Sequence, residues 1–353
     1  MKKLSKEDKE YQELVFKSVT KQYTEQDRIE TGLEPTEKVA VYSQSCWTLY
    51  RYGKNYDSKH LPVLIIPSLI NKSYIMDLLP GHSMIESMVN KGLDVFIIDW
   101  GTPDESIGHY GFAEYVGIFM KRAVRQVKKI RKVDQIQMTG QCIGGLMAAL
   151  YGAHSELSKD IKRMFLLTAP LDMENSGMLF NWTSDEAFDV EKMTSAFEAI
   201  VPSEFFHASF PFLDVRKQLT KYSSLQENFK IPGFKKIWKA LDIWANDNVP
   251  FTKAAFLDLI ISFYQENSFK NGKFMLNGEK IGIKDIKMPV LAIAASEDHV
   301  FTENAAAAIK DSQAAKDKKL EYHVMNAGHV TLIAVLPVRE ETFKLINNFF
   351  SKK

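Results

Sequence analysis

Six residues near the middle of the chain, Gly140-Gln141-Cys142-Ile143-Gly144-Gly145, restrict the fold more than any other stretch. A short run, Gln135 to Thr139, precedes them with strand character, and an apolar stretch of helical length, 143–155, follows. A cysteine between small residues at a strand-to-helix junction is the pattern of a nucleophile elbow, where the reactive side chain stands on a strained turn. The small residues two before and two after leave room for the tight backbone. A helix beginning beneath the sulfur favours negative charge there and so lowers a thiol pKa. An ordinary thiol, with a pKa of about 8.5, is only a few per cent thiolate at neutral pH, so that assistance matters. A buried cysteine between packing glycines would share the six letters but needs neither flanking element.

An elbow needs a sheet, and the chain supplies the alternation. Val63-Leu64-Ile65-Ile66 before Pro67 reads as a buried strand, and Val39 to Tyr52 is rich in β-branched and aromatic residues. A helical stretch over about 72–90, a strand Asp94 to Trp100 and a helix over about 111–131 lead to the elbow. A strand Arg163 to Thr168 follows it. The rhythm resumes with Pro289 to Ala295, a helix near 303–313, a strand Glu321 to Met325 and a final helix 337–351. Short apolar runs between amphipathic helices predict an α/β architecture whose mostly parallel sheet is buried on both faces. Residues 1–37 read as an N-terminal helical arm packed on the main body, with Ser5 as N-cap and apolar residues at Leu4, Tyr11, Leu14, Val15 and Val19. The core is expected in two parts, 38–170 and 286–353. Between them 171–285 breaks the rhythm and is dense in aromatics, Phe205, Phe206, Phe210 and Trp244 among them, as expected of a cap or lid insertion over a site.

A nucleophile elbow calls for an acid and then a base later in the chain. Asp298 follows the strand ending at Ala295, in Ser296-Glu297-Asp298-His299, and His329 follows the strand ending at Met325. Both fall at carboxyl ends of strands, where open α/β sheets place their sites. His299 reads as a surface or supporting residue. His60, His82, His109, His154, His207 and His323 lack metal-ligand spacing and stay structural, so neither a metal nor a cofactor is expected. An oxyanion hole would use the backbone N–H of Ile143 and one from the loop Pro67-Ser68-Leu69-Ile70-Asn71, with Ile70 the candidate and Leu69 the alternative. Glycine-rich phosphate cradles are absent.

Composition narrows the partners. Lys and Arg number 45 against 44 Asp and Glu, which gives no electrostatic reason to expect nucleic acid or an anionic membrane. Two cysteines make no disulfide framework, the lysine-rich start has no apolar core behind it, and no run approaches membrane-spanning length. A soluble, cytoplasmic protein in a reducing compartment is expected. Cysteine in place of serine carries its own message. A thiolate attacking a thioester makes another thioester, a nearly balanced step that keeps the acyl group activated. That suits transfer to a hydroxyl, and equally thioester hydrolysis.

Further segments carry a family resemblance: Asn71-Lys72-Ser73-Tyr74-Ile75-Met76-Asp77-Leu78, Ile98-Asp99-Trp100-Gly101-Thr102-Pro103-Asp104, Phe263-Tyr264-Gln265-Glu266-Asn267, Pro289-Val290-Leu291, Glu297-Asp298-His299 and Gly328-His329. With the Cys142 box, they make the chain, from about residue 35 onward, resemble the catalytic subunit of the short, two-component (class III/IV) polyhydroxyalkanoate synthases. The resemblance implies an α/β-hydrolase fold with a cap, and Cys142, Asp298 and His329 as the catalytic set. It implies an acyltransferase that polymerises (R)-3-hydroxyacyl groups, often short ones, from coenzyme A thioesters. It also implies a second, non-catalytic synthase subunit, a homodimer and a place at polymer granule surfaces. Two alternatives remain open: an acyl-CoA thioesterase or esterase of the same fold, and a non-catalytic granule-associated interaction protein.

Overall fold

Eight strands form one sheet, and their order explains how residues far apart in sequence reach one place. The structure, a computed structural model, describes residues 5–54, 58–184, 188–209, 212 and 215–352; Leu4 and Phe210 lie outside them. The strands are β1 Lys38–Gln44, β2 Trp47–Tyr52, β3 Val63–Ile66, β4 Val95–Asp99, β5 Ile136–Gln141, β6 Ile161–Leu167, β7 Val290–Ala295 and β8 Leu320–Met325. They lie in the order β1-β2-β4-β3-β5-β6-β7-β8. β1 and β2 form an antiparallel hairpin, with β2 antiparallel to β4, and the other pairings are parallel. Ile66 pairs with Gly140, Gln141 with Leu167, and Ala295 with Met325, so the parallel strands end at one rim.

The apolar runs are continuous because both faces are covered. Leu64 and Ile66 join Phe96 and Ile98 in one core, and Val63 and Ile65 join Val95 and Ile97 in the other. Alternate side chains thus serve opposite faces, the two-residue period of a strand. The helix after β5, Ile143–Ala153, is buried along its whole length. Its sequence, apolar all round, allows nothing else.

Local chemistry accounts for the departures from expectation. The stretch expected as one helix over 72–90 is a short 3-10 turn, Ser73–Met76, two short strands, Asp77–Leu79 and His82–Ser83, and a helix only at Met84–Asn90. Pro80-Gly81 breaks it, since proline stops a helix and Gly81 sits at φ 72°. The expected helix near 303–313 is a helical turn Glu303–Ala307 followed by a 3-10 turn Ala308–Asp311.

The arm also differs. Helix α1, Lys6–Thr20, begins at the Ser5 capping box, with Asp8 N–H donating to Ser5 Oγ at 3.1 Å and Ser5 N–H to Asp8 Oδ2 at 3.0 Å. Its apolar face meets the segment between β6 and β7, not the sheet. Leu14 packs with Leu225 and Phe229, joined by Tyr11, Phe234 and Trp238. Asp27, buried, takes Lys17 and Lys239 at 2.8 Å each, the latter from helix α2, Phe234–Ala245.

The segment between β6 and β7 is mostly short helices, ending in Lys253–Asp258 and a π-helical turn Leu259–Gln265. A small hairpin, Phe274–Leu276 with Glu279–Ile281, follows around Asn277-Gly278. Phe205, Phe206 and Phe256 pack edge to face with centroids 5.5–5.8 Å apart. Among the described residues no helix is long and apolar enough to cross a membrane.

Candidate active site

Cys142 stands between the end of β5 and the helix that follows. Its N–H donates to Leu167 O at 2.9 Å, extending the β5–β6 ladder, while its carbonyl accepts from Gly145 and Leu146 N–H at 2.8 and 3.2 Å. Serving ladder and helix at once forces φ 57° and ψ −131°, a conformation costing a side-chain-bearing residue about 1–3 kcal/mol. Gly140 and Gly144 make the turn possible. A Cβ on Gly144 would lie 2.1 Å from Ile66 O, and one on Gly140 2.2 Å from Gly144 O.

The same close approach presses the loop after β3 against the start of the helix, so Ile70 and Ile143 line one cavity. Ile143 is the first helical residue, and its N–H has no acceptor within the helix. The Ile70 N–H donates to Ser68 Oγ at a long 3.3 Å, a bond it must exchange to serve an oxyanion, and its carbonyl accepts from Val249 N–H at 2.8 Å.

Asp298 and His329 come from the loops after β7 and β8. Ser296 N–H donates to Met325 O at 2.9 Å and Glu297 N–H to Ala327 O at 3.0 Å, tying those loops together. One Asp298 oxygen accepts from Val300 and Phe301 N–H at 2.8 and 2.9 Å; the other lies 2.6 Å from His329 Nδ1. The Cys142 sulfur lies near enough to the same ring to act on its charge. Burial opposes charge on His329, but the Asp298 carboxylate and the Cys142 sulfur outweigh it, and its pKa is pushed up to about 10. All three residues expected at the site therefore meet, while His299 is exposed beside them.

Next to the site, and walled in part by the adjoining Ile143, Val300 and Phe301, is a cavity of about 410 Å³ with Ile70, Phe205, Phe206, Phe256 and Ile260 among its other walls. Tyr264, in a segment whose chemistry the sequence reading left unassigned, lines it too. A carbonyl held there would face a thiol backed by imidazole and carboxylate, with amide donors alongside and apolar walls that shed water. That arrangement suits acyl transfer through a covalent intermediate.

The chain belongs to the alpha/beta hydrolase fold family, which matches residues 62–334. Solved structures of that fold superimpose on it: a thioesterase domain from the curacin biosynthetic pathway (13% identity, 90% of this chain and 99% of that one, TM-score 0.50). A carboxylesterase from a Nitrososphaera species does likewise (14%, 89% and 98%, TM-score 0.51). Residues 9–88 also match the N-terminus of poly-beta-hydroxybutyrate polymerase (PhaC). Curated relatives named poly(3-hydroxyalkanoate) polymerase subunit PhaC agree. That of Allochromatium vinosum is 29% identical over 82% of this chain and 81% of its own, and that of Haloferax mediterranei 27% over 93% and 67%. The match from residue 9 corrects the expectation that likeness begins near residue 35: the arm carries it too.

Proposed function

We propose that this chain is the catalytic subunit of a poly(3-hydroxyalkanoate) synthase, an acyltransferase that polymerises (R)-3-hydroxyacyl groups from coenzyme A thioesters. The observation that carries it is a cysteine on the elbow close to the hydrogen-bonded His329–Asp298 pair, with an apolar cavity walled by the adjoining Ile143, Val300 and Phe301. With the shared proton resting on His329, the Cys142 sulfur attacks the thioester carbonyl, and His329 gives that proton to the departing coenzyme A sulfur. The Ile143 and Ile70 amides hold the oxyanion. In the second half the 3-hydroxyl of another unit gives its proton to His329, and its oxygen attacks the acyl carbon. An ester forms, and the C–S bond to Cys142 breaks, the sulfur regaining a proton from His329. Asp298, both of whose oxygens are engaged, acts through His329. The aromatic walls favour transfer over hydrolysis by keeping water out. This reading carries with it a second, non-catalytic subunit, a homodimer and attachment at the polymer granule surface.

The test follows coenzyme A release from (R)-3-hydroxybutyryl-CoA with and without lysate of a polymer-accumulating cell. Cys142→Ala serves as control. Polymer formed only when Cys142 is present is the expected result. Free 3-hydroxybutyrate with the same dependence would make the chain a thioesterase, and release undiminished in Cys142→Ala would remove the nucleophile assignment.

A further inference from the structure

Among the described residues, one buried polar group of the cavity wall has nothing to bind. Of its three hydroxyl-bearing side chains, Ser209 donates to Phe205 O at 2.7 Å and Thr183 to Phe180 O at 3.4 Å. The Tyr264 hydroxyl is buried and, among the described residues, has no hydrogen-bond partner. Such an orphan is costly, because a buried donor without an acceptor keeps its full desolvation penalty. The Ser176 hydroxyl stands near it but donates its own proton to Met173 O at 2.6 Å.

Tyr264 is also held where it is. It lies in the π-helical turn Leu259–Gln265, a widened geometry found often at functional sites. Asn267, at φ 47°, fastens the end of that turn: its Oδ1 accepts from Met173 N–H at 3.1 Å and its Nδ2 donates to Asp172 at 2.9 Å. Phe263, the neighbour in sequence, is stacked on Phe274 at 5.0 Å and meets Phe112 edge-on at 4.9 Å. The ring packs in the same cluster as Cys142 and Ile143, close enough for charge on Cys142 to act on its phenol. Burial pushes that phenol's pKa well above its ordinary range, so it stays a neutral donor.

Resting on the synthase reading, we infer that Tyr264 is a specificity residue whose hydroxyl donates to the 3-oxygen of the acyl group entering Cys142's cavity. A 3-hydroxyacyl chain is apolar except for that oxygen, and the walls around Tyr264 are mostly apolar, with the Ser209 and Thr183 hydroxyls already bonded to backbone carbonyls. Each group satisfies the other. The bond uses one lone pair of the 3-oxygen, leaving its proton for His329 and its second lone pair for attack. An acyl chain without the hydroxyl leaves Tyr264 as unpartnered as before, and sites built to bond a substrate hydroxyl reject such analogues strongly.

The experiment compares Tyr264→Phe with wild type in lysate-supplemented assays of coenzyme A release from (R)-3-hydroxybutyryl-CoA and from butyryl-CoA, the latter as a single turnover. The kcat/KM for the hydroxyacyl substrate should fall roughly 10- to 100-fold while acylation by butyryl-CoA stays unchanged. The thermal midpoint should equal or exceed that of wild type, since an unsatisfied buried hydroxyl has been removed. Equal losses on both substrates, no loss on either, or a midpoint lowered by several degrees would overturn the inference. Wild-type protein that releases coenzyme A from neither substrate would overturn the synthase reading itself, and the inference with it.

Discussion

At the scale of single residues, the site depends on a proton held in place by a carboxylate. Folding lifts the His329 pKa from an ordinary 6.5 to about 10, so the stability this contributes is complete below pH 6.5 and is lost as pH rises toward 10. Asp298→Asn removes the main favourable partner. The gap in thermal midpoint between wild type and this variant should therefore be widest near pH 6 and close by pH 10; a gap that widened with pH would contradict the assignment. Gly144→Ala tests the close approach instead. Its methyl would meet Ile66 O at 2.1 Å, so the variant should lose roughly 1–3 kcal/mol in denaturant unfolding, together with its activity. Cys142, Asp298 and His329 could be read from sequence because each follows a strand and they come in a fixed order. Tyr264 could not. An unsatisfied hydroxyl exists only once the cavity walls stand around it, and Tyr-Gln-Glu-Asn spells no chemistry by itself.

At the scale of elements, legibility followed punctuation. The core strands β3, β4, β5, β6, β7 and β8 announce themselves as short apolar runs, and the sheet needed little more. Pro80-Gly81 was a readable stop inside the stretch expected as one helix. Asn277-Gly278, both at positive φ, is the commonest two-residue hairpin turn and makes the small hairpin inside a region otherwise read as helix and loop. The π-helical turn has no such letter code, because it comes from how Asn267 and the packed rings fix its end. Asn267→Ala would lose two side-chain bonds and the residue's tolerance of left-handed backbone. We expect a loss of about 1–3 kcal/mol, with amide exchange rising first in 259–265. Exchange unchanged there would mean the turn is held from elsewhere.

At the scale of the molecule, the arm is fastened to the segment between β6 and β7. Arg28–Asp247 and Lys235–Glu10 pairs help fasten it, and the buried charge among these contacts on the arm's side is Asp27. Burial works against its ionisation, but Lys17, Lys239 and Thr24 hold the carboxyl well below its usual range. A lowered carboxylate contributes stability above its ordinary pKa of 3.8 and loses it as pH falls below that. Asp27→Ala should raise amide exchange in α1 and α2 at neutral pH while β5 keeps its protection; loosening of β5 would show that the arm supports the sheet itself. The arm's attachment was not legible, since an amphipathic helix declares its apolar face and not what will cover it. The strand order has a consequence in time. A ribosome makes this chain from the amino end, so the strand that presents Cys142 emerges long before β7 and β8, whose loops carry Asp298 and His329. The nascent chain therefore carries its Cys142 thiol before Asp298 and His329 exist, and the three can meet only after β7 and β8 have joined the sheet.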